Sequence, residues 1–360
     1  MKKILIVVIT LIFTYGCNHV ESDTIKIGVI LPLTGSRANA GSDGKKGVEL
    51  VLTQIKEENP TFYNKLKVII EDNNSLATST INAYQKLINQ NHVDIIFGPL
   101  ASNTSLALVP LVNKDGIILV LPTSSSSKLS NAGPTIFRSG LLAEDQAKAA
   151  ADYIISKEYK KAAIFYMNDE TGEGYKKSFY DTFIANGGQI SSVESYSVDK
   201  VDFRTNLVKI SASEPEIIFI PSTPKLLGII INQIKELGLN VPVISNFGIE
   251  GNELIDIAKD NANGIVYTSI LLDDEIAMRS EKQYDTQMGV VTALCYDGFK
   301  IITDAIQEIE SQNINDITKI LVSKRFKGAT GNIYFNNLHD AVREMTIKSV
   351  VNGKFVVVGN

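Results

Sequence analysis

From Thr24 onward, short apolar runs alternate with longer stretches whose apolar residues recur every three or four positions. The runs Ile25–Leu31, 66–71, 93–98 and 117–121 are continuous rather than alternating, as a strand covered by helices on both faces requires. Between them, 41–58, 77–89 and 104–113 carry the helical period. The rhythm then repeats, with strands predicted at 162–166, 190–196, 217–220, Val243–Ser245 and 265–268. The helices of this half fall at 144–157, 174–186, 225–237 and 254–259, followed by a long helical stretch over 286–311 and a short one over 316–322. Three strand-like runs close the chain, Gly331–Phe335, 345–351 and 355–358, the last two joined by an Asn352-Gly353 turn. Alternating strands and helices imply parallel sheets. No Pro- or Ser-rich linker divides the halves, so they join through a hinge of several strand crossings.

The 360 residues suffice for two domains with real cores. Ahead of the first strand the pattern differs. Lys2 and Lys3 precede an unbroken apolar run from Ile4 to Phe13. Ten residues cover about half of a bilayer core, the length of a signal segment rather than a spanning helix. Thr14-Tyr15-Gly16-Cys17 follows and resembles a lipobox, in which a small residue precedes a cysteine that is lipidated before cleavage. Residues 1–16 are therefore expected to be a signal peptide, Cys17 the lipidated residue, and 17–23 a polar tether. Without the first sixteen residues, 33 basic side chains face 40 acidic ones, a net charge near −7. That sign repels phosphate backbones and argues against a nucleic-acid partner. Cys295 lies within an apolar helical pattern and is expected to be a lone buried thiol.

In open parallel sheets, ligands sit beyond the carboxyl ends of the strands. The first half offers Pro32-Leu33-Thr34-Gly35, then Leu100 to Thr104 opening a helix, then Pro122-Thr123-Ser124-Ser125-Ser126-Ser127. Hydroxyls beside a helix start with free amides suit a carboxylate, although Ser102 and Asn103 could equally cap that helix. The second half offers Asn168 to Gly172, Pro221-Ser222-Thr223 and Asn246-Phe247-Gly248. Asp169 and Glu170 either hold a ligand ammonium or favour the next helix start. Catalytic patterns are missing: there is no phosphate-binding glycine loop and no nucleophile elbow. None of His19, His92 and His339 falls on a binding edge, and no cluster has metal-ligand spacing. The chain is expected to be a binding protein rather than an enzyme, with no cofactor and no metal.

Five segments, IKIGVILPLTG from Ile25, DIIFGPLASNTSLALVPL from Asp94, DGIILVLPTSSS from Asp115, TIFRSG from Thr135 and ALCYDGFKIITDAI from Ala293, carry a family resemblance. In order and spacing they resemble the type I periplasmic binding proteins of the leucine/isoleucine/valine-binding kind. The ending GATGNIYFNN, then VVNGKFVVVG, fits the same pattern, so the similarity spans nearly all of the chain after Thr24. The resemblance implies two doubly wound α/β lobes joined by three crossovers, 24–141 plus 270–335 and 142–269 plus 336–360. A small-molecule ligand, a branched-chain amino acid or related carboxylate, would sit between them. The protein would serve an ABC permease as a lipid-anchored, exported component, touching the membrane only through that anchor. The alternative is a ligand-sensing lipoprotein that reports to a signalling receptor.

The resemblance assigns the carboxylate-binding serine to Ser102 and the second contact loop to Thr123, Ser124 and Ser125. Family tyrosines that cover the ligand correspond to Thr171 and Thr223, an aromatic near the start to Ala40, and the acidic partner of the ammonium to Phe247. Either Asp169, Glu170 or Glu250 takes over that last role, or the ligand lacks a free amino group. The positions of a common family disulfide correspond to Ser75 and Ala101, which agrees with the two cysteines of the chain.

Overall fold

The computed structural model describes residues 24–309 and 313–358. The expected signal segment, Cys17 and its tether lie outside the described residues. Among those described, no helix is long and apolar enough to cross a membrane.

The first lobe is built from β1 (Ile25–Leu31), α1 (Ala38–Glu58), α2 (Pro60–Lys65), β2 (Leu66–Asp72), α3 (Ala77–Lys86), β3 (Ile95–Phe97), α4 (Ser102–Asp115), β4 (Ile118–Leu121) and β5 (Ile136–Arg138). Its five strands are parallel in the order β2-β1-β3-β4-β5, so the direction of winding reverses between β1 and β3. Continuous apolarity has the expected cause, because β1 feeds both faces at once. Ile27, Val29 and Leu31 enter a core against α1, while Ile30 enters another against α3 and α4. β5 holds only Ile136 and Phe137 before the charged Arg138, too short an apolar run to announce a strand.

The second lobe repeats the plan with α5 (Ala143–Ser156), β6 (Lys161–Met167), α6 (Glu170–Ala185), β7 (Gln189–Tyr196), α7 (Arg204–Ala212), β8 (Ile217–Phe219), α8 (Pro224–Glu236), β9 (Val243–Ser245), α9 (Asn252–Ala258) and β10 (Val266–Ser269). The chain then returns through α10 (Asp274–Tyr284), α11 (Val290–Ile309) and α12 (Ile314–Ser323) to β11 (Phe326–Gly328), β12 (Gly331–Phe335) and β13 (Ala341–Val342). It ends in β14 (Thr346–Val351) and β15 (Lys354–Val357). The second sheet runs β7-β6-β8-β9-β10-β14-β15, the same winding order plus two strands. It is not purely parallel: β14 pairs antiparallel with β10 and with β15. A tight Asn352-Gly353 turn joins adjacent antiparallel strands, whereas a parallel pair would need a long crossover.

The long pattern over 286–311 is α11, packed along α1 in the first lobe. A methyl on Gly47 of α1 would stand 2.5 Å from the Thr292 carbonyl of α11, so only glycine permits this approach. The polar α10 lacks an apolar face broad enough to announce itself in sequence; Ser280 is its one fully buried residue. Cys295 is a free, buried thiol in α11, and burial pushes its pKa up.

Three chain crossings connect the lobes. Leu141, Ile270 and Met345, one from each, meet in a single apolar cluster with Val290 and Leu294 of α11. The Arg343 guanidinium donates to the Ser139 carbonyl at 2.7 Å, tying the third crossing to the first. The segment 336–342, grouped by resemblance with the second lobe, pairs instead with β12 through β13. Asp340 also bridges Arg138 of β5. The last crossing therefore falls after Val342.

Candidate functional site

Both sheets present their carboxyl edges to the gap between the lobes. On the first lobe, α4 begins at Ser102 with Ala101 as its N-cap, and no side chain caps it. Ser102 thus stands inside the helix rather than capping it, and the first α4 amides keep no intrahelical partner. The Ser102 Oγ instead accepts the amides of Ser125 and Ser126 at 3.2 and 3.1 Å. One serine from the β3 edge therefore shapes the loop after β4.

The neighbouring hydroxyls divide in role. Thr123 donates to the Leu100 carbonyl at 2.7 Å and is half-buried. Ser124 is buried, its hydroxyl 2.7 Å from that of Ser105 and 3.2 Å from the Leu100 carbonyl. It holds the loop onto α4. Ser125 keeps its hydroxyl toward the second lobe, beside the Tyr175 hydroxyl. Tyr175 is buried and accepts from Asn246 Nδ2 at 3.1 Å, while Gln146 Oε1 accepts the Phe247 amide at 3.3 Å. Burial raises the Tyr175 pKa, so it stays a neutral hydroxyl. A polar contact thus already spans the lobes at Ser125.

Behind this loop lies a charged support that hydrophobic patterning does not disclose. Arg138, at the end of β5, donates through Nε to Asp340 Oδ1 at 2.7 Å, with both side chains fully buried. Its other nitrogens donate to the Ser126 carbonyl and the Ser130 hydroxyl. The guanidinium therefore clamps the loop that carries Ser125.

On the second lobe, Thr171 lies in the first turn of α6, half-buried, and Thr223 is the N-cap of α8. The Phe247 ring is buried with Leu141 and Ile270, so it packs into the hinge. Of the three carboxylates open for an ammonium, two are already paired. Glu170 meets Lys128 of the first lobe at 2.7 Å. Glu250 is buried against Lys348 at 3.2 Å and also accepts from Tyr267 and Ser269. Asp169 caps α6 by accepting the Gly172 amide at 2.8 Å. Glu250→Gln is expected to cost about 3 kcal/mol of stability, since Lys348 is left buried and uncompensated, without altering ligand selectivity. Denaturant unfolding beside ligand titration reads both effects.

Arg37, two residues beyond Gly35 and just ahead of α1, stands past the part of this loop that the end of β1 points to. Tyr175 and Gln146 had no comparable signal, since both sit inside helices, whereas Asn246 opens a loop that the end of β9 points to.

A family model described as periplasmic binding protein matches residues 24–354. The chain belongs to that family. Among its relatives is the Leu/Ile/Val-binding protein BraC3 of Rhizobium johnstonii, 25% identical over 266 residues, which are 72% of this chain and 71% of that one. Among solved structures, the branched-chain amino acid transporter substrate-binding protein LivJ of Streptococcus pneumoniae, in complex with isoleucine, superposes with a TM-score of 0.86 at 24% identity. It covers 93% of this chain and 99% of its own. A solute-binding protein of an ABC transporter from Rhodopseudomonas palustris, in complex with 3,4-dihydroxy benzoic acid, superposes at 0.85 with 22% identity, over 93% and 96%. This member of the periplasmic binding protein family thus has the family's two-lobed fold.

Proposed function

We propose that this chain is the extracytoplasmic substrate-binding lipoprotein of an ABC importer, anchored at Cys17, which closes its lobes on a small carboxylate-bearing molecule and releases it unchanged to the permease. One observation carries the reading. Neutral donors gather on the carboxyl edge of the first sheet, at the Ser102 and Ser125 hydroxyls and at the uncapped start of α4, opposite the second lobe, with Thr123 holding the loop in place. Such a set grips an anion without reacting with it. Isoleucine and 3,4-dihydroxybenzoic acid, held by two proteins of the same fold, share a carboxylate and little else. A branched-chain amino acid or a related small acid is the ligand class that follows.

The carboxylate docks first on the first lobe. Closure then brings Thr171 and Thr223 over the ligand, with the ring of Phe247 at the hinge-side wall. A micromolar site needs about 8 kcal/mol in total, within reach of a few charge-assisted hydrogen bonds and a buried apolar tail. The Lys128–Glu170 contact at the rim is exposed and contributes about 0–1 kcal/mol, so ligand contacts supply the bias toward the closed form. In a thermal-shift screen of amino acids, short-chain acids and aromatic acids, a ligand at a thousand times its Kd should add about 4 kcal/mol to unfolding. The bound molecule should be recovered chemically intact after denaturation. A converted product would replace this reading with an enzyme.

A further inference from the structure

The fold leaves the surroundings of Arg37 incomplete. Its backbone is braced: the amide donates to Ser75 Oγ at 3.1 Å, and that hydroxyl donates to the Thr34 carbonyl at 3.1 Å. Its guanidinium has no hydrogen-bond or ion-pair partner among the described residues. By surface area the side chain is exposed, yet the protein around it is dense enough that desolvation lowers its pKa, against the opposing pull of Asp169. Both hold for a side chain that lines a cleft which water enters. Asp169 belongs to the other lobe, and its neighbour Glu170 touches Lys128 of the first, so this corner of the second lobe stands against the first. Glu170 is committed to Lys128, and Asp72, beside the Arg37 loop, accepts from Thr34 and Asn74.

The donors at α4 are all neutral, so a carboxylate seated there leaves the Arg37 charge unanswered. Enclosing an unpaired guanidinium is costly, whereas its five N–H groups can take a ligand anion on one edge while Asp169 steadies another. The loops of Arg37 and Ser102 leave neighbouring parallel strands, β1 and β3, and so open on the same edge of the sheet. One molecule held there can meet both.

We propose that Arg37 is a second anion-binding point of the cleft and that the ligand carries two anionic groups, a small dicarboxylate, one held by Ser102, Ser125 and the α4 amides and the other by the Arg37 guanidinium. The proposal rests on the cleft being the ligand site. Its test is calorimetric titration of glutarate, glutamate, leucine and benzoate into the wild type, Arg37→Gln, and the double variant Ser102→Ala with Ser125→Ala. The Arg37 side chain makes no bond, so Arg37→Gln should fold normally, and thermal unfolding checks this. The wild type should bind one dicarboxylate at least about tenfold more tightly than leucine or benzoate. Arg37→Gln should weaken that dicarboxylate by about 30-fold or more while moving leucine and benzoate less than about threefold. Equal losses for all four ligands, no loss for any, or a wild type that prefers leucine or benzoate or ignores all four, overturns the second point. A serine double variant with unchanged affinities overturns the cleft reading itself, whatever Arg37 does.

Discussion

Asp340→Ala is expected to lower the unfolding free energy by about 3–5 kcal/mol. The carboxylate is fully buried and answers the Arg138 guanidinium at 2.7 Å. Removing it leaves a cation in the interior with only the Ser126 carbonyl and the Ser130 hydroxyl as acceptors. The same change should weaken ligand binding, because Arg138 restrains the loop whose Ser125 and Ser126 amides converge on Ser102. Exchanging both partners for apolar residues of similar volume should recover most of the stability and little of the binding. Denaturant unfolding with an unchanged m-value measures the first effect. A loss below about 1 kcal/mol would show that the pair adds nothing to the fold.

Ser102→Ala combined with Ser125→Ala should reduce ligand affinity by about 100-fold or more, the loss of two charge-assisted hydrogen bonds. Sequence alone treats these hydroxyls as free for the ligand and predicts almost no change in stability. The structure alters that second expectation. Ser102 Oγ also satisfies two backbone amides, so the variant should be less stable by about 1–2 kcal/mol while still folding. Calorimetry with the ligand found in the thermal-shift screen separates the two consequences. An unchanged Kd would remove these serines from the site.

Local pattern and tertiary placement divide this protein unevenly. The strands that fill both faces of a sheet were legible because burial on two sides demands continuous apolarity, as in Ile25–Leu31 and Val243–Ser245. Elements that owe their form to neighbours were not: β5 offers two apolar residues before the charged Arg138, and the polar α10 is held by its packing against the first lobe. The loops at the carboxyl edges were also legible, since strand ends fix where an open sheet can bind. Within them, hydroxyl count could not separate Ser124, which is turned into the interior, from Ser125, which faces the other lobe. Residue type is the same; only the direction of the Cα–Cβ bond differs, and the backbone of the folded loop sets that.

The chain by itself determined the two-lobed α/β plan and the family, because these follow from hydrophobic periodicity and from motifs that are contiguous in the chain. Tertiary structure alone decided how the charges are spent. It pairs Arg138 with Asp340 across 202 positions and Glu250 with Lys348 across 98, and leaves Arg37 facing Asp169 from the opposite lobe. Charges act through space, and neither composition nor spacing along the chain records which of them the fold brings together.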